Sequence, residues 1–358
     1  MSIEHVDTNG TSNGTNHNGQ HHSNGSTQER SNGDAQSGLA NGDANKAEDA
    51  RHLIEVRDTP DAGLGVFALG RIPRGTRILC EPLLLALNGG EDPREILNVF
   101  SKLCSADKAR YMQLHPFAPP VRKDKVRQYM KKKWDQLDDW ERKVIGIYDA
   151  NSFEVGVFHL PSRINHSCIP NVHYEFNPEI ERGTFHAVSD IEAGAELLIS
   201  YINGGNRTKA WRQPKLDQWG FVCQCAACGD DEEGKKREAR RKEMYDLDQK
   251  LAVQSAYGTQ MTPMQALKTA TKLASLQIAE GIANRELRVS YHDAARYSLE
   301  IKNAKMALLW AEKERDHERI CLGEDHPVFK AVSARVGLLK DIAEGRVQFD
   351  KSFLEYFE

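Results

Sequence analysis

The sequence has no long apolar run. Near the start of its foldable part the longest unbroken one is Leu83–Leu87, far short of the ~20 residues that span a bilayer. The N-terminus lacks the apolar core of a signal peptide. Residues 1–50 contain no Phe, Trp or Tyr, and half of them are Asn, Gly, Ser or Thr. Such a segment cannot bury enough apolar surface to offset its ordering entropy, so a disordered tail is expected there. An excess of one charge sign is also missing: 48 Lys and Arg face 52 Asp and Glu, a net of −4. The tail, with seven acids and two bases, accounts for −5, and the rest of the chain is close to neutral. This balance speaks against a nucleic-acid coat protein and a polybasic membrane binder. Seven cysteines, three of them within six residues, do not form a disulfide framework. Without a secretion signal they suit metal ligands plus isolated buried thiols. The expectation is a protein of nucleus or cytoplasm, neither secreted nor membrane-bound.

What is present falls into segments. From His52 to Leu87 the chain reads as short strands: LIEV, LGVFAL and RILCEPLLLAL, separated by the turns DTPDAG and RIPRGT. Residues 92–149 read as helical, with Ile96, Leu97, Phe100 and Leu103 and then Trp134, Leu137, Trp140, Val144 and Ile147 at helical spacing. Between them Arg122–Lys133 holds seven bases and one acid. It reads as the solvated face of an amphipathic helix, with Lys131, Lys132 and Lys133 exposed. Residues 150–228 return to strands and turns: VGVF, VHYEF, GTFHAV and AELLISY. After a charged boundary at 229–243, apolar positions recur helically in three sets. They are Leu267, Ala270, Ala274 and Ile278; Tyr297, Ile301, Ala304, Leu308 and Ala311; and Val328, Val332, Val336, Leu339 and Ala343.

Chemistry concentrates in four places. Cys223, Cys225 and Cys228 suit one tetrahedral Zn²⁺, which needs a fourth ligand in a closed structural site. Cys80 and Cys104 lie in apolar strand-like and helix-like contexts and read as buried thiols, and Cys321 sits among the later helices. Cys168, in the polar stretch Asn165-His166-Ser167-Cys168, is the best remaining candidate. Arg163–Asn171 packs amide, imidazole, hydroxyl and thiol groups into nine residues. Glu196–Tyr201 is an apolar strand ending in a tyrosine, which alone would be an ordinary core residue. In Ala62–Phe67, two glycines permit close backbone approach to a ligand.

The order GLGVFA, NSF from Asn151, NHSCIPN, ELLISY and GFVCQCAAC in one chain resembles the SET-domain protein lysine methyltransferases. Among them it is most similar to the SET-and-MYND subgroup and its fungal relatives, over roughly residues 52–228. The MYND zinc module is missing, since residues 88–150 hold only Cys104. The resemblance implies an α+β protein: a mainly-β SET fold with a knotted threaded segment, a helical insertion, a Zn-binding post-SET segment and a C-terminal all-α helical module. In those terms residues 1–50 are the tail, 51–90 the first SET part, 91–149 the insertion, 150–204 the second SET part, 205–230 the zinc segment and 231–358 the helical module.

The resemblance further implies protein-lysine N-methylation with S-adenosylmethionine (SAM) as methyl donor, on a histone or another protein. Backbone at Ala62, Gly63 and Leu64 would approach SAM. Asn151, Ser162, Asn165 and His166 would hold or shape its amino-acid and ribose site, and Phe221 and Trp219 its adenine site. Cys168 would join Cys223, Cys225 and Cys228 on Zn²⁺. Tyr201 would stand at the transfer point and Phe153 along the lysine channel. A monomer is expected, and direct nucleic-acid binding is not. The rival reading is a catalytically silent SET-fold scaffold acting through its C-terminal helices. The run Lys235–Lys242 is a weak candidate for an import signal.

Overall fold

The computed structural model describes residues 49–60, 63–87, 89–90, 92–257 and 261–357. The tail reading for residues 1–48 and the role given to Ala62 lie outside them. Asp49 and Ala50, assigned to the tail, instead belong to the fold. Asp49 accepts a hydrogen bond from Cys80 N at 3.0 Å, and Ala50 N donates to the Arg77 carbonyl at 3.0 Å.

Strands β1 (Ile54–Thr59) and β2 (Gly63–Ala68) form an antiparallel hairpin from Ile54↔Ala68 to Thr59↔Gly63. The stretch read as one strand from Arg77 splits into β3 (Arg77–Glu81) and β4 (Leu85–Ala86). The break falls at Pro82, which has no N–H to give to a ladder. Four helices follow: α1 (Pro93–Lys102), α2 (Ser105–Tyr111), α3 (Pro120–Met130) and α4 (Asp139–Asn151). Asp92 caps α1 by accepting from Arg94 N, with Pro93 at the first position, and Glu141 accepts from Asp138 N at α4. Ile96, Phe100, Tyr111, Val144 and Ile147 join Leu84 and Leu85 in one core.

Two expectations for this region are corrected. Cys104 is exposed, not buried, because it serves as the N-cap of α2, its sulfur accepting from Asp107 N. Lys131, Lys132 and Lys133 are exposed but lie beyond α3, with Lys131 in the left-handed region at φ 57°. Arg122, at the head of that basic run, is buried against Asp149.

Short strand β6 (Gly156–Val157) pairs with β4 on one side and with β5 (Ser152–Phe153) on the other. Next come β7 (Asn165–His166), β8 (Val172–Asn177), β9 (Arg182–Ala187) and β10 (Glu196–Ile199). The sheets run β1-β2-β10-β7, β3-β9-β8 and β4-β6-β5. Val66, Ile78, Leu79, Phe158, Phe185, Leu197 and Ile199 interdigitate between them, and Phe153 and Tyr201 pack on that core.

Helix α5 (Lys209–Leu216) precedes the cysteine segment. Then come α6 (Glu232–Tyr257), α7 (Pro263–Glu280), α8 (Arg285–Glu300), α9 (Ala304–Leu322) and α10 (Pro327–Ala343). These pack in sequence order, and α9 also lies against β8 and β9. The second periodic set crosses the end of α8: Ile301 is its C-cap, Lys302 has φ 60°, and Asn303 caps α9. The Lys235–Lys242 run lies inside α6, with Arg241 fully buried and Arg237 and Arg240 paired with Glu280. Among the described residues no helix is long and apolar enough to cross a membrane.

Candidate active site and cysteine cluster

Strand β10 places the motifs side by side. It runs parallel to β7, with Leu198↔Asn165 and Ile199↔His166, and antiparallel to β2, with Leu197↔Val66. Asn165 Nδ2 donates to the Leu64 carbonyl at 3.2 Å and to Glu196 Oε1 at 2.8 Å, which ties Gly63–Leu64 to the NHSC stretch. A Cβ on Gly65 would meet Glu196 Oε1 at 2.6 Å, so glycine there lets the carboxylate reach Asn165. His166 Nδ1 accepts from Tyr201 N at 3.0 Å. Nε2 is therefore the protonated nitrogen, and it faces Cys168 Sγ at 3.3 Å. Burial holds this imidazole neutral, its pKa lowered to about 4.

Tyr201 lies two residues beyond β10, not within it. Its hydroxyl donates to the Ile164 carbonyl at 2.8 Å. Burial pushes the phenol well above its ordinary pKa, so it stays protonated near neutrality. The ring lies 5.1 Å from Trp219, 5.2 Å from His166 and 6.4 Å from Phe221.

Tyr201 lines a cavity of about 480 Å³ together with Asn151, Phe153, Ser162, Tyr174 and Trp219, within the roughly 300–1,000 Å³ range of small-molecule sites. On one side Asn151, the last residue of α4, donates through Nδ2 to His115 O at 2.9 Å and Ile147 O at 2.7 Å. Ser162 Oγ donates to Phe158 O at 2.5 Å, and Trp219 Nε1 to Ala150 O at 3.2 Å. On the other side Phe153 meets Tyr174 at 4.6 Å, Phe158 at 5.2 Å and Phe185 at 5.8 Å. Gly63, Leu64, Asn165, His166 and Phe221 do not line this cavity. They flank it, the Phe221 ring 6.0 Å from His166. Gly220, at φ +78°, lets the Phe117 ring press on this segment, because a Cβ there would lie 2.6 Å from it.

The cysteines lie beside the site, with Tyr201 and Trp219 packed against them. The sulfurs of Cys168, Cys223, Cys225 and Cys228 all lie within 4.8 Å of one another. Cys168 is 3.9 Å from Cys223 and 3.7 Å from Cys228. A tetrahedral site with ~2.3 Å Zn–S bonds sets sulfurs about 3.8 Å apart, so the donors fit a metal of that size. Left alone, the neighbouring sulfurs, Cys223 first, push the Cys168 thiol far up. A divalent cation reverses that effect. Cys80 and Cys321 are buried away from this group. Leu216, Tyr201, Trp219 and Phe221 pack on the cluster.

A family model described as the SET domain matches residues 63–202. The chain contains a SET domain. Among curated proteins, histone-lysine N-methyltransferase set5 of Schizosaccharomyces pombe is 29% identical over 208 residues, 56% of this chain and 58% of the relative. The SET5 protein of Vanderwaltozyma polyspora, also named a histone-lysine N-methyltransferase, is 40% identical over 97 residues, 26% of this chain and 19% of the relative. This chain thus spans less than two thirds of either relative's length. A solved structure of the SET domain of LSMT bound to lysine and AdoHcy is 13% identical, with TM-score 0.31, covering 84% of this chain and 90% of that one. The SET domain read from the motifs is therefore borne out.

Sequence reasoning missed four residues at or beside the site. Tyr174 lines the cavity with a buried hydroxyl that has no hydrogen-bond partner. In VHYEF, alternation alone does not say which aromatic faces a cavity. Arg122 and Asp149 also line it, paired at 2.6 Å and both buried, where the basic run had pointed to solvent. Arg212 donates to the cysteine sulfurs, a contact between positions that no local pattern links.

Proposed function

We propose that this SET domain is a protein-lysine N-methyltransferase that uses SAM. The observation that carries the reading is one cavity lined together by Asn151, Phe153, Ser162, Tyr174, Tyr201 and Trp219. Gly63, Leu64, Asn165, His166 and Phe221, which lie outside that cavity, would form the strand-edge and aromatic sides of a cofactor site beside it, with Trp219 shared between the two. The run β2-β10-β7, with β10 seated between the other two, supports the threaded SET topology. Helices α6–α10 support a C-terminal helical module, and residues 205–230 a post-SET zinc segment. The names of the curated relatives support a histone among the substrates and a nuclear site of action. The SET-and-MYND subgroup, the monomeric state and, apart from Asp49 and Ala50, the segment boundaries read from the sequence stand with this proposal.

Bound SAM would supply the sulfonium methyl group. Transfer would form a bond between the neutral lysine nitrogen and the methyl carbon as the sulfur–carbon bond breaks, leaving S-adenosylhomocysteine and a methylated ammonium whose proton passes to solvent. The residues' work is positioning. Lysine is a nucleophile only when neutral, and its free pKa is ~10.4. The rings of Phe153 and Tyr174 line the cavity, and their apolar surroundings would disfavour the ammonium form. Tyr201 orients amine and methyl through its hydroxyl oxygen. It is no general base, since burial keeps it protonated. Cys168, Cys223, Cys225 and Cys228 would hold one structural Zn²⁺, tying the segment of Phe221 to that of His166.

The test is metal analysis with SAM titration on the wild type and Cys168→Ser. The reading expects one Zn²⁺ per wild-type chain and a joint fall of zinc content and SAM affinity in the variant. A zinc-free wild-type protein that binds SAM would remove the metal from the account, and failure to bind SAM would remove the cofactor.

A further inference from the structure

Arg212 of α5 is 1% exposed. Its Nε donates to Cys168 Sγ at 3.2 Å and its Nη2 to Cys228 Sγ at 3.3 Å. Nη2 also donates to Ala227 O at 2.9 Å, and Nη1 to Arg207 O. Every one of these partners is a sulfur or a main-chain carbonyl, and no described Asp or Glu forms an ion pair with it. A guanidinium buried without an anion is strongly destabilising. Its neighbour Arg241, also fully buried, shows the ordinary solution: Nε meets Glu280 Oε1 at 3.0 Å, and Nη2 donates only to the Cys168 carbonyl. The anion opposite Arg212 is therefore the thiolate group.

Four thiolates on one divalent cation leave an uncompensated negative charge in a buried site. We propose that Arg212 is the counter-charge of the cysteine cluster, a positioning residue whose fork hydrogen-bonds two of the four thiolates, offsets half of the site's net double negative charge and slows loss of the metal. The inference rests on the zinc reading above. His166 Nε2 adds a second donor to Cys168, so Cys168 is the most heavily hydrogen-bonded sulfur. Thiolates relieved of charge in this way bind the metal without becoming reactive toward oxidants or competing chelators. Because α5 runs directly into Asp217–Trp219, the same contact fixes the aromatic face of the cofactor cavity.

The experiment follows zinc release to a chromogenic chelator from the wild type, Arg212→Met and Arg212→Lys, with absorption spectra of the cobalt-substituted proteins. The Met variant is expected to release zinc at least ~10-fold faster, with its thiolate-to-cobalt band moved to lower energy. The Lys variant, keeping the charge but not the fork, should fall between. Should the Met variant not fold, the Lys variant decides by the same two readings. A wild type without zinc brings down the zinc reading itself. A zinc-loaded wild type whose folded variants release zinc at the wild-type rate, with an unmoved cobalt band, overturns the role of Arg212 alone.

Discussion

At Tyr201 a main-chain contact and the proposed reaction role meet in one residue. Its N–H is held by His166 and its hydroxyl by the Ile164 carbonyl. Tyr201→Phe removes one neutral hydrogen bond, worth ~1 kcal/mol, and keeps the ring packed on Trp219. Melting temperature and SAM affinity should change little, while single-turnover transfer falls ~10²-fold or more. Near-normal transfer would take Tyr201 out of the mechanism. Equal collapse of fold and rate would make it a core tyrosine. Tyr174 carries a different consequence. Its unpartnered hydroxyl occupies channel space beside Phe153. Tyr174→Phe opens that space, so mass spectra of the product peptide should shift toward more highly methylated lysine. An unchanged product distribution would place the hydroxyl away from the amine. Neither role could be read from ELLISY or VHYEF alone. Tyr201 was reached through the order of surrounding motifs, and Tyr174 only through the cavity it lines.

Helices and strands were legible wherever one local pattern ran without interruption. The capped start at Asp92-Pro93 and the glycine-bounded hairpin of β1 and β2 fall where turn and cap chemistry puts them. Periodicity misled where the chain reversed without losing its apolar spacing. Ile301 and Ala304 continue the α8 pattern across a turn that only Lys302 and Asn303 mark. The Arg122–Lys133 run misled because charge count does not separate a buried ion pair from a solvated lysine.

The junction of α9 with sheet β3-β9-β8 lends itself to a pH test. His186 on β9, fully buried, accepts from Arg77 Nε at 3.2 Å, and burial holds its pKa down to about 3. His317 on α9 is held at about 4 by the same cause. Unfolded histidine titrates near ~6.5. A depressed folded pKa contributes stability above the unfolded value that is lost as pH falls toward the folded one. Melting temperature should therefore drop between about pH 7 and about pH 4, and more shallowly in His186→Gln. Parallel curves for the two proteins would assign the acid sensitivity elsewhere.

Over the whole molecule, the SET strands, the helices of residues 93–151 and the cysteine segment converge on one cavity, each supplying a different wall. Asn151 comes from the end of α4, Tyr201 from the turn after β10, and Trp219 from the segment that Cys223, Cys225 and Cys228 anchor. The order of motifs grouped Asn151, Phe153, Ser162, Tyr201 and Trp219, which line the cavity, with Gly63, Leu64, Asn165, His166 and Phe221, which do not. The Arg122–Asp149 pair in the cavity lining and the guanidinium at the cysteine cluster came only from long-range packing. The central claim is methyl transfer to lysine, and it is tested most directly by incubating the purified full chain with methyl-labelled SAM and a proteome or histone peptide array, then mapping the acceptor. The account predicts label on lysine nitrogen, abolished by denaturing the enzyme and strongly reduced in Tyr201→Phe. A protein that binds SAM yet labels no lysine in any substrate would contradict it and leave a silent SET-fold scaffold in its place.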